Sequence, residues 1–230
     1  MQEPLDENRR IFAIGDIHGC INSLHDLILR LDIRPDDQFV FLGDYIDRGN
    51  QSQAVIDYLM MMDRHYSCHF IMGNHEHMFL DYLRTGDPLS WLYNGGKATL
   101  QSYRSNDGTD LPEEHVDFFR KCRYYLESET YFFAHGGLDP DLSIGDNFKY
   151  YKPSDFCWQR AHMQSTYLET GGYPWEKTLV CAHTPVPKPI VLERLIAIDT
   201  GCVYKSNPLF GWLTAVCLPS RELVQISNND

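Results

Sequence analysis

Short apolar runs that end on a glycine beside an acid or amide residue constrain this chain more than any other feature. Ile11 to Ile14 runs into Gly15-Asp16, Phe39 to Leu42 into Gly43-Asp44, and Cys68 to Met72 into Gly73-Asn74. Each run reads as a buried strand, and each is followed by a helical pattern. Leu24, Leu27, Ile28 and Leu31 recur at i, i+3, i+4 and i+7 before Arg34-Pro35-Asp36-Asp37 breaks the pattern. Val55, Tyr58, Leu59 and Met62 make the second helix, and the segment from His75 to Leu83 the third. Strand, loop and helix therefore alternate three times in succession, as in a βαβ arrangement.

Further on, Lys97 to Tyr103 and Pro112 to Arg120 read as short helices around the turn-rich Ser105-Asn106-Asp107-Gly108. From Tyr131 onward the chain reads mainly as strands: Tyr131 to Ala134, Thr178 to Ala182, Ile190 to Leu192, Leu195 to Ile198, Leu213 to Leu218 and Leu223 to Ile226. Their Pro- and Gly-rich connections suit a meander that closes a second sheet. With no boundary signal between the halves, residues 1–230 are expected to form a single catalytic domain.

A formal net charge of −12 with no Lys/Arg run disfavours nucleic acid as a partner. The longest apolar run is far short of a membrane span, and the MQEPLDENRR leader is too polar for a signal peptide, so no membrane partner and a cytoplasmic location are expected. Seven cysteines without a C-x-x-C pair read as free thiols in a reducing compartment. The sequence does not name the oligomeric state, and a monomer is compatible with it.

Five strand-like runs end in loops with metal-competent residues: Gly15-Asp16-Ile17-His18-Gly19, Gly43 to Gly49, Gly73-Asn74-His75-Glu76, Ala134-His135-Gly136-Gly137 and Ala182-His183-Thr184-Pro185. Strand ends are where open α/β sheets place their sites. Oxygen and imidazole donors without thiolate suit Mn²⁺, Fe or Zn²⁺ better than a structural zinc centre. Asp16, His18, Asp44, Asn74, His135 and His183 would supply three or four protein ligands to each of two divalent metal ions if Asp44 bridges them.

GDIHG, GDYIDRG, GNHE, HGG and a later single histidine in AHTP resemble the signature of the phosphoprotein phosphatases, a branch of the calcineurin-like metallophosphoesterases. The small bacterial and bacteriophage serine/threonine phosphatases are the most similar subgroup, through Trp91 to Gly96, Trp158-Gln159-Arg160 and Ile198 to Tyr204. The resemblance implies an α/β (α+β) fold, two mixed β-sheets in a sandwich flanked by helices. It assigns Asp16, His18 and Asp44 to one metal and Asp44, Asn74, His135 and His183 to the other. Catalysis would then rest on Arg48 and Arg160, which grip the phosphate, on His75 as acid for the leaving oxygen, and on Asp47, which orients His75. The implied reaction is direct attack of a metal-activated water on a phosphomonoester, with a phosphoserine or phosphothreonine protein as partner and Mn²⁺ as cofactor. Hydrolysis of dinucleoside polyphosphates is the alternative, although the sister group that performs it resembles GDxxARGP and GNHD, and a non-catalytic scaffold is the more distant one.

The remaining histidines, His25, His65, His69, His77, His115 and His162, are expected on the surface or as satisfied core residues, away from strand ends. Cys20 is expected to pack, and the aromatics of Phe118 to Tyr125 and Tyr131 to Phe133 to fill the core.

Overall fold

The computed structural model describes residues 4–105, 108–109 and 111–230. Strand β1 (Ile11–Ile14), helix α1 (Ile21–Arg30), β2 (Gln38–Phe41), α2 (Ser52–Asp63), β3 (Ser67–Phe70) and α3 (Asn74–Thr85) form the expected alternation. Next come α4 (Leu89–Trp91), a π-helical turn at Leu92–Gly96, α5 (Lys97–Ser102), the hairpin strands β4 (Arg104–Ser105) and β5 (Gly108–Thr109), and α6 (Glu113–Lys121). Asn106 and Asp107 of the expected turn lie outside the described residues, as do the first three residues of the leader. The second half contains β6 (Tyr125–Glu127), β7 (Tyr131–Ala134), α7 (Ile144–Tyr150), α8 (Ser165–Thr170), β8 (Thr178–Cys181), β9 (Ile190–Val191), β10 (Leu195–Ala197), β11 (Trp212–Leu218) and β12 (Glu222–Ser227).

Two five-stranded mixed sheets result, ordered β12-β11-β1-β2-β3 and β6-β7-β8-β10-β9. Side chains alternate across a strand, and here both faces of the central strands are covered, which is why these strands read as unbroken apolar runs. Ile11, Ala13, Val40 and Leu42 face the other sheet and pack on Phe133, Val180 and Ile196. Their neighbours Phe12, Ile14, Phe39 and Phe41 face outward, under Leu24 and Leu27 of α1 and Val55 and Leu59 of α2. On the far side Phe132, Leu179 and Leu195 pack against Phe156 and Trp175. The order is helices, sheet, sheet and a second helical and loop layer.

Three expectations need correcting. The segment between β7 and β8 is largely helical, with α7, α8 and 3₁₀ turns at Pro153–Cys157 and Ala161–Met163, so the second half is not mainly strand. The last two strands do not close the second sheet. β11 pairs antiparallel with β1, Ile11 opposite Leu218, which gives β1 a partner on its free edge and adds Val216 and Leu218 to the layer between the sheets. His69 lies within β3, buried, with no hydrogen-bond partner on either ring nitrogen among the described residues, so it is not a satisfied core histidine. All seven cysteines are buried, Cys20 among them. Among the described residues no helix is long and apolar enough to cross a membrane.

Candidate metal centre

Strands β1, β2 and β3 run parallel, and so do β7 and β8, so the five loops emerge from strand C-terminal ends. The backbone bends sharply there: His18, Asp44, Asp47, Arg48 and His183 all have positive φ, between 47° and 70°. Such conformations cost a non-glycine residue free energy and persist only where surrounding structure enforces them. Part of that enforcement is visible. Glu76 in the first turn of α3 accepts hydrogen bonds from the Asp44 and Tyr45 amides at 2.9 and 2.8 Å and from its own N-cap Gly73 at 3.1 Å. One buried carboxylate thereby ties the second loop to the third. Gly73 must be glycine, because a Cβ there would lie 2.3 Å from the Asp44 amide nitrogen and carboxylate.

Asp44 is the hub. Its carboxylate lies 3.4 Å from His18 Nε2, 3.2 Å from His135 Nε2 and 3.8 Å from His75 Nε2. Asn74 Oδ1 is 3.1 Å from His135 Nε2. Ligand-type atoms of His18, Asp44 and His75 lie within 4.8 Å of one another, as do those of Asp44, His135 and His183. Asp16 stands outside both triads and His75 stands in its place. Asp16 instead lies beside the second sheet, 3.7 Å from His135 Nδ1, and accepts from the His183 amide at 3.3 Å.

The donors fit divalent cations. His18 Nδ1 donates to the Ile46 carbonyl at 2.7 Å and His135 Nδ1 to the Leu42 carbonyl at 2.8 Å, and since a carbonyl only accepts, each Nε2 keeps its lone pair turned inward. The Nε2 atoms of His75 and His183 are buried without a partner among the described residues. Burial, with Arg48 close by, holds His18 well below its ordinary pKa, and burial beside His135 pushes His183 down to about 2, so both rings are neutral, as ligands must be. Asp16 moves the other way, raised by burial and by the charges of Asp199 and Asp44. Collecting carboxylates in a dry site is unfavourable until cations neutralise them.

His75 differs from the other rings. Burial works against its protonation, but the Asp44 charge and a 2.6 Å bond from Nδ1 to Asp47 outweigh it and raise its pKa. Asp47 is in turn held by Trp91 Nε1 at 2.9 Å and Thr99 Oγ1 at 2.6 Å. Arg48 rests its Nη1 on His18 Nε2 at 2.5 Å and stacks its guanidinium over Tyr204 at 5.6 Å. Arg160, in the 3₁₀ region, bonds the His183 carbonyl at 3.3 Å and Thr184 Oγ1 at 3.1 Å. All ten residues singled out in the sequence thus converge on one end of the sandwich. The supporting roles of Glu76, Trp91, Thr99 and Asp199 were missed. Trp91 and Asp199 stood inside segments that resembled relatives, which was the only signal available. Asp199 is buried, with one oxygen on the Gly201 amide at 2.8 Å and the other without a partner, and burial raises it to about 6.

Comparison with known proteins agrees with this centre. The sequence profile of the calcineurin-like phosphoesterases matches residues 9–208. The chain is 27% identical to the asymmetrical bis(5'-nucleosyl)-tetraphosphatase PrpE of Oceanobacillus iheyensis, over 95% of this chain and 92% of that one. It is 30% identical to serine/threonine-protein phosphatase 2 of Salmonella typhimurium, over 89% and 93%. A solved structure described as a candidate diadenosine tetraphosphatase superposes with a TM-score of 0.72 at 21% identity, covering 99% of this chain and 97% of that one. The chain belongs to the calcineurin-like phosphoesterases, a family of metal-dependent hydrolases, and is related within it to the serine/threonine phosphatases.

Proposed function

We propose that this protein hydrolyses dinucleoside polyphosphates asymmetrically, splitting a tetraphosphate into a nucleoside mono- and a nucleoside triphosphate. This reverses the preference for a phosphoprotein substrate drawn from the motifs alone. The observation that carries it is the similarity to an asymmetrical tetraphosphatase along 95% of the chain. The rim of the centre is compatible: Trp158, 43% exposed with its ring 6.4 Å from that of His183, offers a free aromatic face of the kind on which bases stack.

Asp16, His18, Asp44, Asn74, His135 and His183 would hold two divalent cations, with Mn²⁺ the proposed pair. Such ions act as Lewis acids toward phosphate and lower the pKa of water. Arg48 and Arg160 bind the non-bridging oxygens of the phosphate under attack, where guanidinium forks give paired charge-assisted bonds. Water adds its oxygen to phosphorus and gives up one proton to solvent, the bond from phosphorus to the leaving oxygen breaks, and His75 Nε2 delivers a proton to that oxygen, to be replaced from solvent, while Asp47 fixes the ring through Nδ1. A nucleoside phosphate leaves more readily than a serine alkoxide, so the dinucleotide reaction leans less on His75.

The relationship to the Salmonella phosphatase at 30% identity, together with GDYIDRG and GNHE, favours a second reading, a phosphomonoesterase acting on phosphoserine or phosphothreonine proteins. The two are separated by kcat/KM for diadenosine tetraphosphate and for phosphoserine, phosphothreonine and phosphotyrosine peptides under the same Mn²⁺ concentration. A dinucleotide lead of about tenfold, ~1.4 kcal/mol in transition-state binding, supports the first reading. An equal lead for a phosphopeptide overturns it in favour of the second.

A further inference from the structure

Beside the metal centre, a cavity of about 170 Å³ opens behind the first and second loops. Its walls include Gly19, Arg48, Gln51 and Lys205. Arg48 thus belongs to both spaces, since its guanidinium also touches His18. The guanidinium also lies over the Tyr204 ring, 5.6 Å from its centroid, and the next residue in the chain is Lys205. Lys205 is exposed and makes no hydrogen bond or ion pair among the described residues. Asp230 also lines the space, but its carboxylate is engaged: it accepts from the Asn22 and Ser23 amides at 2.9 and 3.0 Å and from Gln51 at 3.3 Å. The lining side chains thus carry two cations, Arg48 and Lys205, against the one carboxylate of Asp230, on a chain whose net charge is −12.

We propose that the cavity between Arg48 and Lys205 is a subsite for the phosphates beyond the one being cleaved, with Lys205 as a specificity-determining residue. The size is selective, because pockets that enclose whole drug-sized ligands run to about 300–1,000 Å³, so this one admits phosphate groups and leaves the nucleoside outside. A phosphomonoester has nothing to place there. A polyphosphate does, and asymmetrical cleavage leaves three phosphates together on one side of the broken bond. Arg48 then bridges the attacked phosphate and its neighbour, and Lys205 pairs with the next.

This assignment rests on the dinucleotide reading, yet it can be tested apart from it. Inorganic tripolyphosphate and orthophosphate are compared as inhibitors of p-nitrophenyl phosphate hydrolysis, with free Mn²⁺ held constant, in the wild type, Lys205→Ala and Lys205→Arg. The wild type should bind tripolyphosphate more tightly than orthophosphate. Lys205→Ala should shrink that ratio by about three- to tenfold, as expected for one charge-assisted contact at a partly exposed site, and Lys205→Arg should keep it. Metal sequestration by tripolyphosphate acts on all three proteins alike, so the change between them isolates the side chain. A ratio unaltered in Lys205→Ala, or equal losses for both anions, overturns the subsite. If the ratio responds as stated while a phosphopeptide outruns the dinucleotide, the subsite stands and the dinucleotide reading falls.

Discussion

Two sets of buried histidines can be compared in this molecule. His18, His75, His135 and His183 lie at strand ends, whereas His69 lies inside β3 and His162 in the 3₁₀ turn beneath the second sheet. All six are almost fully buried. Burial near Arg123 depresses His69, and burial beside Arg160 depresses His162, each to about 4, much as burial depresses His183. Neither burial nor a low pKa marks a functional histidine here. Convergence does: three of the strand-end rings come within 4 Å of the Asp44 carboxylate, while among the described residues the His69 ring has no hydrogen-bond partner and the His162 ring only the Cys181 sulfur at 3.5 Å.

Removing the point of convergence should be the most damaging change. Asp44→Asn is expected to lower kcat/KM by on the order of 10³-fold or more, beyond the 10–100-fold typical of residues that merely orient ligands, and to lower metal content measured by mass spectrometry. Chelation should abolish activity and Mn²⁺ restore it. Full activity after exhaustive metal removal would leave the convergence without chemical meaning.

The next effect should come from His75, the ring whose pKa Asp44 and Asp47 raise against burial. His75→Asn is expected to reduce kcat by about 10²- to 10⁴-fold with metal content retained, and to cost less on p-nitrophenyl phosphate, whose leaving group needs little protonation, than on a phosphoserine peptide. Equal losses on both substrates would remove His75 from the acid role and favour reading it as a ligand, the position its triad with His18 and Asp44 also allows.

Asp47→Asn should be milder, about 10- to 100-fold, with a signature in pH. Since Asp47 helps raise the His75 pKa against burial, losing its charge lowers that pKa, and the form that donates a proton disappears at lower pH. The basic limb of the kcat/KM profile should therefore move toward acid, and an unmoved limb would dissociate the pair.

The smallest effect on activity is expected from His69→Leu, and its readout is stability. His69 titrates at about 4 when folded against 6.5 for a free imidazole, so the unfolded chain takes up its proton first. The wild type should then lose stability as pH falls below 6.5 and continue to lose it through 4. His69→Leu should show a shallower fall in Tm between pH 7 and pH 5, with kcat/KM close to wild type. A steeper fall would show that the ring finds a partner on protonation.

The alternating elements of the first half, and the five loops that carry Asp16, His18, Asp44, Asn74, His75, His135 and His183, were all readable along the chain. Each depends on local pattern: an apolar run, a glycine, a polar cluster, a 3.6-residue period. What could not be read depends on pairing at a distance. Nothing in Leu213 to Leu218 says whether it joins β1 or the second sheet, because an apolar strand fits either until a free edge claims it. The helices between β7 and β8 escaped because α7 and α8 are only seven and six residues long, and α7 buries just Ile144 and Asn147 while α8 buries no residue, so neither carries an apolar period of its own. The holding of Asp47 by Trp91 and Thr99, and the tie from Glu76 to the Asp44 loop, join residues 31 to 52 positions apart.

By itself the sequence determined which side chains are available and that they sit at strand ends, since glycine placement and strand length are local properties. Only the tertiary structure decided that Asp44 stands at the hub, that the pKa of His75 is raised where those of His18 and His183 are lowered, and that a cavity lined by Arg48 and Lys205 lies beside the centre. Those are matters of distance and desolvation between segments far apart in the chain, and they exist only once the two sheets have closed on each other.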